Sequence, residues 1–125
     1  LGLFGLSEIP GQLGGHLFEN VIFNILREKL ELTPTQIHFW RTRDQAEVDF
    51  VLETGLDVIP IEAKYSKLVG LEIQRSYRNF LEKYQPKTGY IVHLGEEKQA
   101  VINGTKIRSI PFYKLLVNDF LAPSK

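Results

Sequence analysis

The 125-residue sequence contains no cysteine and no methionine. Without cysteine, the protein cannot form a disulfide, use a thiol in catalysis or hold a structural zinc ion through sulfur, and this composition suits a reducing compartment. Because the chain begins with Leu1 and has no methionine, we expect it to be a fragment of a longer protein. Its length predicts a single domain, in which the glycine-rich residues 1–13 are a lead-in or linker remnant.

A net charge of one sign is also missing, since fifteen basic residues balance fifteen acidic residues. A protein that binds polyanions through its overall charge is usually basic, so we expect any contact with nucleic acid to come from a local patch. No apolar run approaches the roughly 20 residues that cross a bilayer, and no secretory signal peptide is present. These absences predict a soluble, cytoplasmic protein that does not act in a membrane.

The residues that are present predict a folded domain of the α/β class. Eight Phe, five Tyr and one Trp in a chain that is 43% hydrophobic exclude intrinsic disorder. Hydrophobic periodicity predicts helices at 14–30 and 69–84, and strands at 36–42, 47–53, 57–64 and 89–94. The connection through the second helix should make the fourth strand parallel to the third. A peripheral hairpin around Asn103 and Gly104 and a helix at 111–121 are expected to follow.

A tight turn is predicted to align the second and third strands. Residues 54–57, Thr-Gly-Leu-Asp, carry glycine at the first central position, as a type II′ hairpin turn requires. Counting back from this turn places Asp49 opposite Glu62, and Glu47 opposite Lys64. Four charged side chains are therefore expected together at one end of the hairpin.

Two further expectations concern the geometry of this hairpin. Proline cannot donate a ladder hydrogen bond, so we expect a bulge or an unpaired edge at Pro60, and a bulge would shift the register by one residue. Alternation in the second strand predicts one face with Val48, Phe50 and Leu52.

The acidic residues of the hairpin have the pattern of a metal site. Two carboxylates buried opposite each other repel, and a divalent cation commonly neutralises such a pair. Lys64 lies two residues beyond Glu62 and could act on a water molecule or on charge that develops at a phosphate. The alternative is an exposed strand face on which Glu62 and Lys64 form a solvated ion pair of little energetic value.

Three blocks of the sequence, at 15–24, 37–52 and 59–66, together resemble one protein family. They are similar to the C-terminal domain of unknown function that follows an AAA-type ATPase module in many prokaryotic ATP-binding proteins. That domain resembles the PD-(D/E)xK nuclease superfamily, which has the restriction-endonuclease-like fold. The resemblance covers about residues 12–95 and implies an α-β-β-β-α-β core with a mixed sheet flanked by helices.

The resemblance implies an active site and a function. Glu19, Asp49 and Glu62 would be the acids of the site, Lys64 its lysine, and the Ala63 carbonyl a further metal ligand. The implied activity is hydrolysis of DNA phosphodiesters with Mg²⁺ or Mn²⁺. Since the sequence contains no P-loop, ATP would be bound by an N-terminal ATPase module of the same protein. A homo-oligomer is compatible with this interpretation.

A second hypothesis keeps the fold and removes the activity. In it, the domain is a catalytically silent module that binds DNA or docks a subunit. Under either hypothesis, a set of basic residues could line a phosphate track, or could simply be solvated surface. This set is Arg41, Arg43, Lys67, Arg75 and Arg78.

Several other residues have a structural and a functional interpretation. Glu47 is expected to be a salt-bridged or solvated neighbour of the acids, with contact to a metal through water as the alternative. The histidines at positions 16, 38 and 93 are expected to be helix-surface or strand residues rather than ligands. Phe39 and Trp40 are expected to be rim and core aromatics.

Overall fold

A computed structural model of the chain describes residues 11–117. Within this range, the protein has a mixed α/β fold of two α-helices and one six-stranded mixed sheet. The elements are α1 (Gly11–Leu30), β1 (Gln36–Arg41), β2 (Glu47–Glu53), β3 (Val58–Ala63), α2 (Arg75–Tyr84), β4 (Thr88–His93), β5 (Lys98–Ile102), β6 (Thr105–Pro111) and a 3₁₀ helix (Phe112–Leu116). Neither α-helix of the described range is long and apolar enough to cross a membrane.

The strands lie in the order β1-β2-β3-β4-β6-β5. The pairs β1–β2, β2–β3 and β5–β6 are antiparallel, whereas β4 is parallel to both β3 and β6. The predicted α-β-β-β-α-β order and the parallel β3–β4 pair are therefore confirmed.

The C-terminal hairpin belongs to the sheet, so its prediction as a peripheral element was wrong. Asn103 and Gly104 form the predicted turn, both with positive φ. Strand β6 pairs with β4 along its length, and its Ile107 and Ile110 are fully buried. The helix predicted at 111–121 is a short 3₁₀ helix ending at Leu116, and residues 118–121 lie outside the described range.

Helix α1 covers one face of the sheet. It begins at Gly11, earlier than predicted, while residues 1–10 of the predicted lead-in lie outside the described range. Phe18, Ile22 and Leu26 follow one another at intervals of four residues, so they share one helix face, and all three are fully buried. They pack into a core cluster with Phe50 of β2.

Helix α2 packs in a second core cluster and begins six residues later than predicted. Tyr77, Phe80 and Leu81 are its buried residues, and they belong to the cluster that contains Val51. Gln74, which precedes the helix, has extended backbone angles (φ −76°, ψ 158°). Residues 69–74 therefore form an irregular approach to α2.

Candidate functional site

The β2–β3 hairpin has the predicted register. Gly55 has a φ of +91°, which glycine adopts without steric cost, and the Thr54 N–H donates to the Asp57 carbonyl at 3.0 Å. Four residue pairs follow in register, from Glu53 opposite Val58 to Phe50 opposite Ile61. The next pair along the same count is Asp49 and Glu62, as predicted.

Of the two outcomes expected at Pro60, the structure shows the unpaired edge and not the bulge. Pro60 lies opposite Val51 without a register shift, and the β3–β4 ladder begins only at the next residue, Ile61. Its missing N–H is tolerated because no ladder bond with β4 is required at this position. The hydroxyl of Tyr77 lies 3.1 Å from the Pro60 carbonyl oxygen and 3.2 Å from that of Tyr90, which ties α2 to both strands.

The irregularity occurs in β2 instead, at the acidic residue of the site. The β1–β2 register shifts between His38 and Trp40, so that Asp49 and Phe50 together face the single residue Phe39. An extra residue reverses the alternation of side chains beyond it. Val48 accordingly packs in the α2 cluster, and its predicted place on one face with Phe50 was wrong.

Asp49 occupies the gap where the two strands of the hairpin separate. The backbone ladder of β2 and β3 ends at Phe50 and Ile61, and the Asp49 Oδ2 then accepts the Ala63 N–H at 2.8 Å. A side-chain hydrogen bond also joins Asp49 to Glu62. The Asp49 carboxyl therefore takes the place of the next backbone bond of the hairpin.

Glu62 is the most strongly perturbed acid of the site. Only 8% of its surface is exposed. Burial, followed by the hydrogen bond and the charge of Asp49, raises the pKa of Glu62 to about 9, against a smaller lowering by the Lys64 charge. At neutral pH, these influences favour the protonated form of Glu62, which can share a hydrogen bond with the Asp49 carboxyl.

Glu19 approaches the same region from α1. Burial raises the pKa of its carboxyl, the charges of Asp49 and Glu47 raise it further, and the nearby His16 lowers it. This pattern of influences places Glu19 close to the acids of β2.

These groups line one cleft of about 390 Å³. Its lining residues are Glu19, Gln45, Glu47, Asp49, Glu62, Ala63, Lys64, Tyr65, Gln74 and Ser76. The cleft thus brings together the four predicted catalytic residues and Ala63, which come from α1, β2, β3 and the residue that follows β3.

Sequence reasoning missed the neutral part of the cleft. Gln45 projects from the β1–β2 loop with a positive φ of 63°, and Gln74 and Ser76 lie at the start of α2. For Gln45, the only local signal in the sequence was the turn-forming run before β2. The place of Gln74 and Ser76 depends on where α2 begins, which periodicity predicted incorrectly.

The side chains of the cleft do not form a ready-made metal centre. Within residues 11–117, no group of three or more histidine or acidic side chains is positioned to hold a metal ion. The donors nevertheless suit Mg²⁺ or Mn²⁺, because carboxylate and carbonyl oxygens are the ligands that these ions prefer. The hydrogen bond between Asp49 and Glu62 joins the two carboxyls where a cation could otherwise neutralise the pair.

The predicted basic residues lie on the surface. Arg41 donates to Glu47 at 2.9 Å across β1 and β2, which confirms Glu47 as a salt-bridged neighbour. The side chains of Arg43, Lys67, Arg75 and Arg78 are exposed. Among the described residues, none of these five cations lines the cleft.

The histidines are structural or surface residues, as predicted. His16 is exposed on α1, and His38 lies 2.8 Å from Glu53 on the exposed side of the sheet. His93 is fully buried, with its Nδ1 accepting the Gly95 N–H and its Nε2 2.8 Å from the Ser109 hydroxyl. This bonding holds the proton of the neutral ring on Nε2.

Comparison with known proteins identifies the family but not the activity. No curated protein matches the chain. One family model, described as Domain of unknown function (DUF4143), matches residues 14–113, which contain every residue of the cleft. The chain therefore belongs to the DUF4143 family.

Proposed function

We propose that this domain has the restriction-endonuclease-like fold of the PD-(D/E)xK superfamily and hydrolyses DNA phosphodiesters with Mg²⁺ or Mn²⁺. The observation that carries the proposal is the convergence of Glu19, Asp49, Glu62 and Lys64 in one cleft. The order of elements supports the fold, because a helix, three antiparallel strands and a helical crossover to a parallel strand are the core that this superfamily shares.

Asp49, Glu62 and Glu19 would hold the metal ion. Two acids at the bulged end of a hairpin and a third on α1 would give it carboxylate ligands from three elements, and Glu62 would release its proton on metal binding. The Ala63 carbonyl would be a fourth ligand, because N–H and C=O of one strand residue point to the same side and the Ala63 N–H meets Asp49. A bound divalent ion polarises a phosphoryl oxygen and lowers the pKa of a water ligand.

Lys64 would act on the reacting groups rather than on the metal. Its backbone N–H donates to the Val92 carbonyl at 2.8 Å, which fixes the residue at the end of β3. Its charge lowers the pKa of Glu62, so its ammonium group is near the acids. From this position, it would orient the attacking water and stabilise the negative charge that develops on the phosphate.

The domain would work as the C-terminal part of an AAA-type ATPase. The chain has no P-loop of its own, so ATP would be bound by an N-terminal module of the same protein.

A catalytically silent module is the second candidate. The absence of a preformed group of three metal-binding side chains in the described range favours it, as does the zero net charge of the chain. In that case, the domain would bind DNA or dock a subunit, with the acids kept as a hydrogen-bonded structural cluster.

Thermal unfolding in Mn²⁺ separates the two candidates. Binding to the folded state adds RT ln(1 + [L]/Kd), about 2.7 kcal/mol at one hundred times Kd. We therefore expect the Tm of the wild type to rise by several degrees, and that of Asp49→Asn to stay nearly constant. Asp44→Asn, at an exposed turn position outside the cleft, is the matched control and should respond like the wild type. An unchanged Tm in millimolar Mn²⁺, together with no nicking of plasmid DNA, would favour the silent module.

A further inference from the structure

We propose that Tyr65 is a positioning residue, whose ring seats α1 against the end of β3 and thereby holds Glu19 beside Asp49. The inference rests on the proposed function, because it assigns a role to a residue in the wall of the same cleft. Tyr65 follows Lys64 directly in the chain, so the helix is supported next to the lysine of the site.

The ring of Tyr65 fills a space that only glycine leaves open. Gly14 of α1 is buried against this ring. A Cβ atom at position 14 would lie 2.5 Å from the ring Cζ and 2.8 Å from Cδ2, and nearest of all to Cε2. The same ring pairs with Phe18, with a centroid distance of 6.1 Å. Helix α1 therefore rests on Tyr65 at two points, and the second point immediately precedes Glu19.

The backbone on both sides of Tyr65 is fixed. The Lys64 N–H donates to the Val92 carbonyl at 2.8 Å, and the Leu94 N–H donates to the Ser66 carbonyl at 2.9 Å. Tyr65 is thus anchored to β4 and to the residues that continue it. A side chain added at position 14 must displace either this anchored ring or the helix that carries Glu19.

A displacement of α1 matters for the cleft because, within residues 11–117, Glu19 is the only acid lining it that lies outside the β2–β3 hairpin. The other acids, Glu47, Asp49 and Glu62, all come from β2 and β3, whose relative position is set by the hairpin turn. Glu19 has no such covalent constraint to the acids. The buried face of α1 holds the helix on the sheet, and the contact between Gly14 and Tyr65 sets how closely its first turns approach the end of β3.

Adjacent glycines provide a matched pair of variants. Gly14→Ala puts a methyl group into the Tyr65 ring, whereas Gly15→Ala meets no atom within 4 Å. Both substitutions increase helix propensity, and Gly15 is the nearer of the two to Glu19 along the helix. Effects transmitted through the helix itself should therefore be at least as large in Gly15→Ala.

The first measurement is structural and does not depend on activity. In two-dimensional NMR spectra of the metal-free chain, Gly14→Ala should shift the Glu19 and Tyr65 signals, and Gly15→Ala should leave them near their wild-type positions. In a Tyr65→Ala background, Gly14→Ala should produce little further change at Glu19, because the ring that it strikes is gone.

The second measurement concerns the site. Gly14→Ala and Tyr65→Ala should weaken Mn²⁺ binding about 10- to 100-fold, as changes to supporting residues of metal ligands do. They should also lower DNA cleavage by about a hundredfold, the cost of a small misplacement. Tyr65→Phe keeps the ring and should therefore keep both Mn²⁺ binding and DNA cleavage. If the hydroxyl were the group that matters, this variant would lose them. All assays are run well below the lowest Tm, so that loss of fold does not contribute.

The outcomes distinguish this inference from the proposed function. If Gly14→Ala moves the Glu19 signals no more than Gly15→Ala does, the positioning role is overturned, whether or not the protein binds Mn²⁺. If Gly14→Ala moves them and Tyr65→Phe does not, the role is supported. If the wild type then neither binds Mn²⁺ nor cuts DNA, the positioning role stands and the proposed function fails.

Discussion

At the scale of single residues, the burial of Glu62 next to Asp49 makes the stability of the domain depend on pH. The pKa of Glu62 is about 9 in the folded protein, against 4.5 for an unperturbed glutamate, because the carboxyl is buried next to Asp49. The folded state therefore holds a proton that the unfolded state releases. By linkage, this proton stabilises the metal-free protein fully below about pH 4.5, and the stabilisation is lost as the pH rises towards 9.

Glu62→Gln tests this titration. A glutamine amide can still donate to Asp49, but it does not titrate. At about pH 8 and in EDTA, we expect the variant to be more stable than the wild type by more than about 1 kcal/mol, the value of a single pKa unit. The difference should vanish well below pH 4.5, the unperturbed value, where Glu62 is protonated in both states. Urea unfolding at several pH values measures it, with the exposed Glu82→Gln as control. A difference independent of pH would contradict the assignment of the proton to Glu62.

A second prediction at this scale separates Glu62 from Lys64. Glu62 is proposed to hold the metal, whereas Lys64 is proposed to act on charge that develops in the transition state. Glu62→Ala should therefore lose both Mn²⁺ binding and cleavage. Lys64→Ala should retain Mn²⁺ binding and lose cleavage by about a hundredfold, as removal of one electrostatic donor does. Calorimetric titration and plasmid nicking measure the two properties, with the exposed Lys98→Ala as control. Equal cleavage by the wild type and Lys64→Ala would refute this mechanism.

At the scale of the elements, the Gly55 turn sets the register on which the site depends. A one-residue slip of β2 against β3 would remove Asp49 from its place beside Glu62 and Ala63. Because Gly55 has a φ of +91°, Gly55→Ala should lower the free energy of unfolding by about 1–2 kcal/mol. Gly70→Ala is the control, since neither glycine has an atom within 4 Å of the added Cβ and φ is positive only at Gly55. Equal stability of the two variants in urea unfolding would show that the turn does not constrain the hairpin.

The hairpin and its acids could be predicted because their signals are local. The turn sequence, the spacing of Asp49 and Glu62, and the strand pattern lie within sixteen residues from Glu47 to Glu62. The bulge at Asp49 could not be predicted, because it depends on how β1 pairs with β2 and no local signal at Phe39 indicates it. The proline that did suggest a bulge sits where the β3–β4 ladder has not begun.

Two features of the fold depend on contacts between distant parts of the chain, and the local sequence pattern predicts both of them incorrectly. The segment before α2 contains apolar residues at helical spacing, yet Val69 is 75% exposed and Gln74 is extended, so Arg75 begins the helix. The sequence predicts a peripheral hairpin of β5 and β6, because local alternation does not identify a partner strand. Parallel pairing of β6 with β4 is a contact between segments far apart in the chain, which buries Ile107 and Ile110.

At the scale of the whole molecule, the distribution of charge disfavours the binding of DNA, the proposed substrate, at the cleft. The chain has no net charge, and its cleft gathers four acids around one lysine. A DNA phosphate that approaches this cleft meets negative charge unless a cation is present. Attraction must therefore come from the exposed cations outside the cleft, among which Arg75 lies between two lining residues, Gln74 and Ser76.

The salt dependence of DNA binding tests this arrangement. If Lys67, Arg75 and Arg78 contact phosphates, binding should weaken steeply with salt, since each contact releases a condensed counterion. Each substitution to alanine should reduce the slope of log K against log[salt] by about one, and Lys98→Ala, on the distant edge strand β5, should leave it unchanged.

Fluorescence anisotropy with a labelled duplex in Ca²⁺ measures binding without requiring turnover. Unaltered slopes in all three variants would mean that these cations are solvated surface. Undetectable binding, repeated with the proposed N-terminal ATPase module attached, would favour a domain that docks a protein subunit, because the positive surface that DNA needs would then be missing from both parts.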